Sequence, residues 1–241
     1  MAKLQPKLLP VVTALALALT GCGKHGDSSA QGGNAGPGGI LTGSPVSGDN
    51  GGGQAAGPVP NFAAGPDVCY KAIVNRLGKD TKVAEFTSFF SAGSAIDSSD
   101  TEPQGQLKTC TVQYQSLDDP RKLVETRMDV ATGKFSPPQP LEITVMGNAA
   151  DFRLEDHLIP LSQVDPAGLT TVMEAQKARM SGIFSKYAWT GVRLEGPDAF
   201  SAKHTLRLDI EGRLAANDIK DDGYASVTTD GKKITSDHLA P

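Results

Sequence analysis

Residues 107–115 read Leu107-Lys108-Thr109-Cys110-Thr111-Val112-Gln113-Tyr114-Gln115. Cys110, Val112 and Tyr114 fall on one parity, and Thr111, Gln113 and Gln115 on the other. A period of two marks a strand with one buried and one wet face. Such a strand needs partners, and the flanking sequence supplies them. Val83 to Phe90 is an aromatic-rich run. Lys122 to Val130 alternates, with Val124, Met128 and Val130 on one face. Leu141, Ile143 and Val145 alternate again. Ahead of these runs, Cys69, Tyr70, Ile73, Val74 and Leu77 repeat at helical spacing. Asp67 is the expected N-cap of that helix and Gly78 its stop.

The pattern then begins again. Asp165 precedes Pro166 at a first helical position, and Leu169, Val172, Met173, Gln176, Met180, Ile183 and Phe184 form a helical stripe. Strands are expected at Ala188 to Leu194, Lys203 to Ile210 and Tyr224 to Thr228. Asp230-Gly231 signals a hairpin turn leading to Ile234. The expected fold class is therefore α+β: two helix-plus-antiparallel-sheet units in tandem, residues 67–150 and 151–241. Each is small enough that the two should pack together.

The first 66 residues are different material. Lys3 and Lys7 precede an apolar run from Leu8 to Leu19. Twelve residues span about 18 Å as a helix, too short for a bilayer core of about 30 Å. A basic start before a short apolar stretch reads as a secretory signal. Its end, Leu19-Thr20-Gly21-Cys22, resembles the lipobox of bacterial lipoproteins. The resemblance implies that residues 1–21 are a signal peptide cleaved before Cys22. It also implies a diacylglycerol on the Cys22 thiol and an acyl chain, palmitate or similar, on the new amine. Several acyl chains anchor far more firmly than one. Gly23 and Lys24 follow the cysteine. Neither is the aspartate that retains the best-studied members in the inner membrane, so the resemblance favours the periplasmic face of the outer membrane.

Residues 22–66 then read as the lipidated cysteine and a flexible tether, with fourteen Gly and five Pro between 23 and 66. That composition buries too little surface to offset chain entropy. The chain has three cysteines. With Cys22 lipidated, Cys69 and Cys110 remain as an even pair in an oxidising compartment and are expected to form a disulfide. A metal pair or redox site is the alternative, but no Cys-x-x-Cys spacing supports it.

The net charge is −4. Residues 67–241 account for −5, because residues 1–66 hold three Lys against two Asp. A mildly acidic body without a basic cluster is a poor nucleic-acid binder. The halves end in similar turns, Asp129-Val130-Ala131-Thr132-Gly133-Lys134 and Asp230-Gly231-Lys232-Lys233. A helix, then strands, then such a turn resembles the PepSY-type module. The tandem arrangement resembles the β-lactamase-inhibitor-protein-like fold. Members of these families are typically non-catalytic and inhibit, chaperone or dock onto secreted and envelope proteins. The long spacer from Asp97 to Gln106 departs from a compact module of this kind.

Catalytic chemistry would need a nucleophile, base or metal set at sensible spacing. The four histidines are His25, His157, His204 and His238, and no His-x-x-x-His, His-Glu-x-x-His or Gly-x-Ser-x-Gly occurs. Asp151-Phe152-Arg153-Leu154-Glu155-Asp156-His157 is the most loaded segment and reads as a solvated connector. Asn217 to Gly223 collects oxygen donors but lacks the alternation of a calcium loop, and reads as a polar loop between strands. Gly133-Lys134 lacks the rest of a phosphate loop. No catalytic residue, metal ligand or cofactor is therefore assigned. Surface aromatics remain. Phe89 faces opposite to Phe86 and Phe90 on a regular strand, and Tyr187 and Trp189 share a face. Phe86, Phe89, Tyr187 and Trp189 are the candidate protein-binding anchors, or else packing residues between the halves.

These observations lead to an expectation of a non-catalytic, membrane-anchored periplasmic lipoprotein that binds an envelope protein. It would act as an inhibitor or immunity protein against an envelope hydrolase. The alternatives are a component of an envelope or secretion assembly, a small-ligand or metal sensor, and an enzyme using Glu155, Asp156 and His157.

Overall fold

The computed structural model describes residues 58–145, 148–197 and 203–240. The segment expected to be a signal peptide, Cys22 and most of the expected tether lie outside the described residues. Within them the chain is α+β, a large antiparallel sheet with few helices. Two α-helices are described, α1 (Val68–Leu77) and α2 (Leu169–Ile183). Five strands belong to the first half: β1 (Lys82–Phe90), β2 (Leu107–Gln115), β3 (Leu123–Asp129), β4 (Lys134–Phe135) and β5 (Gln139–Leu141). A short β6 (Ile159–Pro160) lies in the connector. The second half adds β7 (Phe184–Glu195), β8 (Thr205–Leu214), β9 (Lys220–Val227) and β10 (Ile234–His238).

The strands form one sheet in the order β10-β9-β8-β7-β1-β2-β3-β4, with β5 paired to β3 and β6 to β1. The sheet is continuous across residue 150. Its two halves meet where β1 pairs antiparallel with β7, from Phe86↔Leu194 to Phe89↔Gly191. The Ser88 hydroxyl donates to the Val192 carbonyl at 2.8 Å across this seam.

One face of the sheet is the core. Phe86, Val112, Val192, Leu194, Leu206, Leu208, Ile210, Ala225 and Val227 lie on it and are buried. Ile73 of α1 and Leu169, Val172 and Met180 of α2 join the same cluster, so both helices cover this face. Fully burying one such aliphatic side chain contributes about 1.5–3 kcal/mol. The expected Cys69–Cys110 disulfide is present, with Cα atoms 5.6 Å apart, and fastens α1 to β2. Closing that loop contributes roughly 4 kcal/mol in the chain-entropy model.

Several local expectations need correction. The chain joins the body before residue 67: Asn61 bridges to Gln106, and the Phe62 ring sits edge-on against Phe90 at 4.8 Å. Neither Asp67 nor Asp165 caps through its side chain. Asp67 has φ −99° and ψ 11° rather than extended geometry, and it pairs with Lys71 instead at 3.1 Å. Asp165 precedes a 3-10 turn, Pro166–Gly168, before α2 begins. Phe184 starts β7 instead of ending the helix. The strand expected through Ile143 and Val145 stops at Leu141. Pro140 lies within that short strand, opposite Val124, and donates no N–H there. The polar run from Asn217 is half strand, since Lys220, Asp221 and Asp222 pair with Arg213, Gly212 and Glu211. Gly231, at φ 71°, makes the turn after Asp230.

Leu208 is fully buried at the centre of β8. Leu208→Ala is expected to cost about 2–5 kcal/mol in a denaturant melt. A loss below about 0.5 kcal/mol, the scale of a surface substitution, would contradict the placement of the core.

Candidate functional site

The residues that alternate with the core residues point away from the helices, and register brings them into rows. Arg193 of β7 lies directly opposite Arg207 of β8, and Asp209 of β8 opposite Tyr224 of β9. Tyr224 in turn faces His238 of β10. Phe89 of β1 lies opposite Gly191, which lies opposite Asp209.

Like charges directly opposed across strands destabilise a sheet. Here the Asp209 carboxylate resolves the conflict. It accepts from Arg193 Nε at 3.1 Å and Nη2 at 2.9 Å, and from Arg207 Nε at 2.8 Å. Both guanidinia also stack on aromatic rings. Arg193 lies 5.5 Å from the Phe89 centroid and Arg207 lies 3.7 Å from that of Tyr224. Gly191 leaves room for the arrangement, because a Cβ there would collide with the Asp209 carboxylate. The result is a row of Phe89, Arg193, Asp209, Arg207, Tyr224 and His238, with the His238 and Tyr224 rings 4.9 Å apart.

Phe89, Arg193, Asp209 and Arg207 of this row line an open basin of about 440 Å³. Its rim is the segment between β1 and β2. Lys220 pairs with Asp97 of that segment and, at 2.8 Å, with Glu211. The Lys220 ammonium holds the Asp97 carboxyl well below the usual carboxylate range. Asp100 is nearly buried, accepts from the Ala92 amide at 3.0 Å and pairs with Lys108 at 3.1 Å. A third carboxylate behaves oppositely. Burial pushes the Glu85 carboxyl up, as do Glu125 and Glu195, against the opposing Arg193.

The structure distributes the four aromatics named from sequence. Phe86 is 1 % exposed on the core face, so no partner can reach it. Phe89 is 39 % exposed and borders the basin. Tyr187 and Trp189 are half-buried and meet edge-on at 6.1 Å near Phe62 and Gln104, outside the basin. Glu155 and Asp156 are exposed on a short 3-10 helix, Leu154–His157, in the connector. The His157 ring stacks on Phe152 at 5.0 Å, and its carbonyl contacts His204 Nε2 at 3.2 Å. Among the described residues no group of three His, Cys, Asp or Glu side chains is placed to hold a metal ion.

Arg193, Arg207, Asp209 and Tyr224 were not singled out from sequence. Alternation within 203–210 assigns Leu206, Leu208 and Ile210 to the core. The same alternation puts Arg207 and Asp209 on the wet face, which is the one signal pointing to them.

Comparison with protein-family models, with curated proteins and with solved structures gave no match. No helix among the described residues is long and apolar enough to cross a membrane.

Two stability outcomes follow from this electrostatic arrangement. Asp209→Asn leaves Arg193 and Arg207 opposed with no carboxylate between them, and is expected to cost about 1–3 kcal/mol in chemical denaturation. A neutral result would remove Asp209 from its bridging role. Glu85 has the opposite sign. Its folded-state affinity for a proton is raised, so ionisation at neutral pH disfavours the fold. Glu85→Gln is expected to stabilise at pH 7, with the gain vanishing below about pH 4.3 as the native carboxyl becomes protonated in both states. A stabilisation independent of pH would point to packing instead.

Proposed function

We propose that this chain is a non-catalytic envelope lipoprotein that binds another protein through the open face of its sheet. Cys22 carries the lipid, residues 1–21 are removed, and the anchored form faces the periplasm from the outer membrane. The halves are tandem units, each a helix followed by antiparallel strands, joined where β1 meets β7. The Gly- and Pro-rich segment sets the reach of the body from the bilayer.

The observation that carries the reading is the row of two aromatic-stacked arginines flanking Asp209. Stability alone does not favour opposed arginines on a wet sheet face. Arginine and aromatic side chains are the usual energetic anchors of interfaces. Tyr187 and Trp189 form a second aromatic pair, outside the basin. The dispersed exposure of Glu155 and Asp156 fits a connector better than an acid–base centre. An inhibitor of an envelope hydrolase and a member of an envelope assembly are two forms of this function, and the partner's identity separates them.

Two experiments in the intact cell test the proposal. Cys22→Ser is expected to abolish incorporation of labelled palmitate and to move the chain out of the membrane fraction. Retained label would refute the anchor. A photo-crosslinking amino acid at Phe89 is expected to give a discrete adduct that the same probe at Lys177, on the exposed side of α2, does not give. Adducts from Lys177 alone, or from neither position, would refute the open face as the binding surface.

A further inference from the structure

The chain between β1 and β2, residues 91–106, leaves the sheet and returns to it through a narrow neck. The Ser91 amide donates to the Gln106 carbonyl there, and the Gly105 amide to the Ser91 carbonyl, each at 2.8 Å. Gly93 and Gly105 stand at the neck with φ of 77° and 80°, and a Cβ on Gly93 would lie 2.9 Å from that of Gln104. Beyond the neck the segment is bonded to itself. Asp100 accepts from the Ala92 amide, and the Ser91 hydroxyl donates to the Glu102 carbonyl at 2.8 Å. The Ile96 and Asp97 amides donate to the Gly93 carbonyl at 3.0 Å. The body so formed is rooted in the first half of the sheet but reaches over the second. Among the described residues its polar contacts there are two. Asp97 pairs with Lys220 of β9, and Gln104 Nε2 donates to the Tyr187 carbonyl at 3.3 Å. Ile96 and Ala92 pack with Ala188 of β7 in a small buried cluster separate from the main core.

We infer that residues 93–104 are a hinged flap, which swings out as one body when Asp97 leaves Lys220 and Ile96 lifts from Ala188, and so uncovers apolar surface for the partner protein. The inference rests on the protein-binding reading above and gives that same face its regulation. The flap's bonds to itself survive the swing, and the glycines of the neck absorb the change in backbone angle. The clasp is built to be released. Lys220 Nζ also pairs with Glu211 at 2.8 Å, so the ammonium keeps a carboxylate when Asp97 departs. Asp97 keeps the hydrogen bonds it accepts from the Ser99 amide and hydroxyl, at 2.9 and 2.7 Å. All three side chains of the clasp are partly exposed, so water reaches the pair before it parts. The apolar seat is one isoleucine and one alanine on another alanine, a satellite cluster rather than a share of the main core. What the flap hides is what the open face lacks. Interface cores are depleted of charge. The uncovered basin offers Arg193, Arg207 and Asp209, with Phe89 as its exposed apolar ring. Ala92, Ile96 and Ala188 beneath the flap are 3 %, 1 % and 6 % exposed.

The test uses the full mature chain in detergent micelles and the reaction rate of a single introduced thiol with an aromatic disulfide reagent. Ala188→Cys places the thiol beneath the flap, and Ala225→Cys places it in the main core as a report of global opening. Lys220→Gln is expected to raise the rate at position 188 about fivefold, the scale of one partly exposed ion pair, with no change at position 225. Asp97→Asn is expected to do the same, and decides if Lys220→Gln fails to fold. An unchanged rate at 188 overturns the flap, as do rates that rise together at both positions. A second arm addresses the partner. In isolated envelopes, Asp97→Cys with Lys220→Cys is bridged by a short bifunctional maleimide, which holds the flap shut. Bridging is expected to cut the photo-adduct at Phe89 at least fivefold, whereas a monofunctional maleimide on the same two thiols leaves it. An adduct that survives bridging overturns the gating and leaves the protein-binding reading standing. An adduct absent before bridging removes that reading, and the thiol rates still decide whether the flap opens.

Discussion

The pairing of β1 with β7 is the contact on which the rest depends. Four residue pairs, Phe86↔Leu194 to Phe89↔Gly191, join segments about a hundred residues apart. Without this seam the chain would hold two small sheets, each with an unpaired edge that water or another chain would have to satisfy. With it, Phe86, Val192 and Leu194 become the centre of one apolar face that both helices cover. The seam also sets the wet face, because the register that buries Leu194 beside Phe86 places Phe89 beside Gly191 and near Arg193. Non-local pairing of this kind is slow to form, since loop closure precedes any return in contacts. The disulfide acts locally instead, fastening α1 to β2.

The two faces obey different rules. On the core side each side chain fills space, and the cost of an error scales with the cavity it leaves. On the open side, groups are held where stability alone would not put them. Arg193 faces Arg207, and Glu85 sits among carboxylates. Asp209 offsets the first conflict and Arg193 partly offsets the second. Local sacrifices of this sort cluster where a surface has work to do. The lipid expected on Cys22 and the glycine-rich segment behind it would present that surface to other envelope components.

Much of the fold was legible because it is written in local periods. The alternation at Cys110, Val112 and Tyr114 identifies β2 and its buried side. The spacing of Cys69, Ile73 and Leu77 identifies α1, and Asp230-Gly231 marks a turn. What local periods omit is register between distant strands. Alternation shows that Phe86 and Phe89 face opposite ways, but not which side carries the helices, so both remained candidates until the seam with β7 placed Phe86 inside. The site was hidden for the same reason. Arg193, Arg207 and Tyr224 are spread over three strands, and only the sheet makes them neighbours. The connector around Glu155 is rich in charge, but sequence proximity is not convergence, and Glu155 and Asp156 stand exposed on it.

The most direct measurement compares arginine reactivity in two settings. Intact envelopes and the purified chain would be treated with phenylglyoxal, and modification at Arg193 and Arg207 quantified by mass spectrometry, with the exposed Arg121 of the β2–β3 turn as reference. If the open face docks a partner, both arginines are protected in the envelope relative to the purified chain while Arg121 reacts equally in each. Equal modification of Arg193 and Arg207 in both settings would contradict the account.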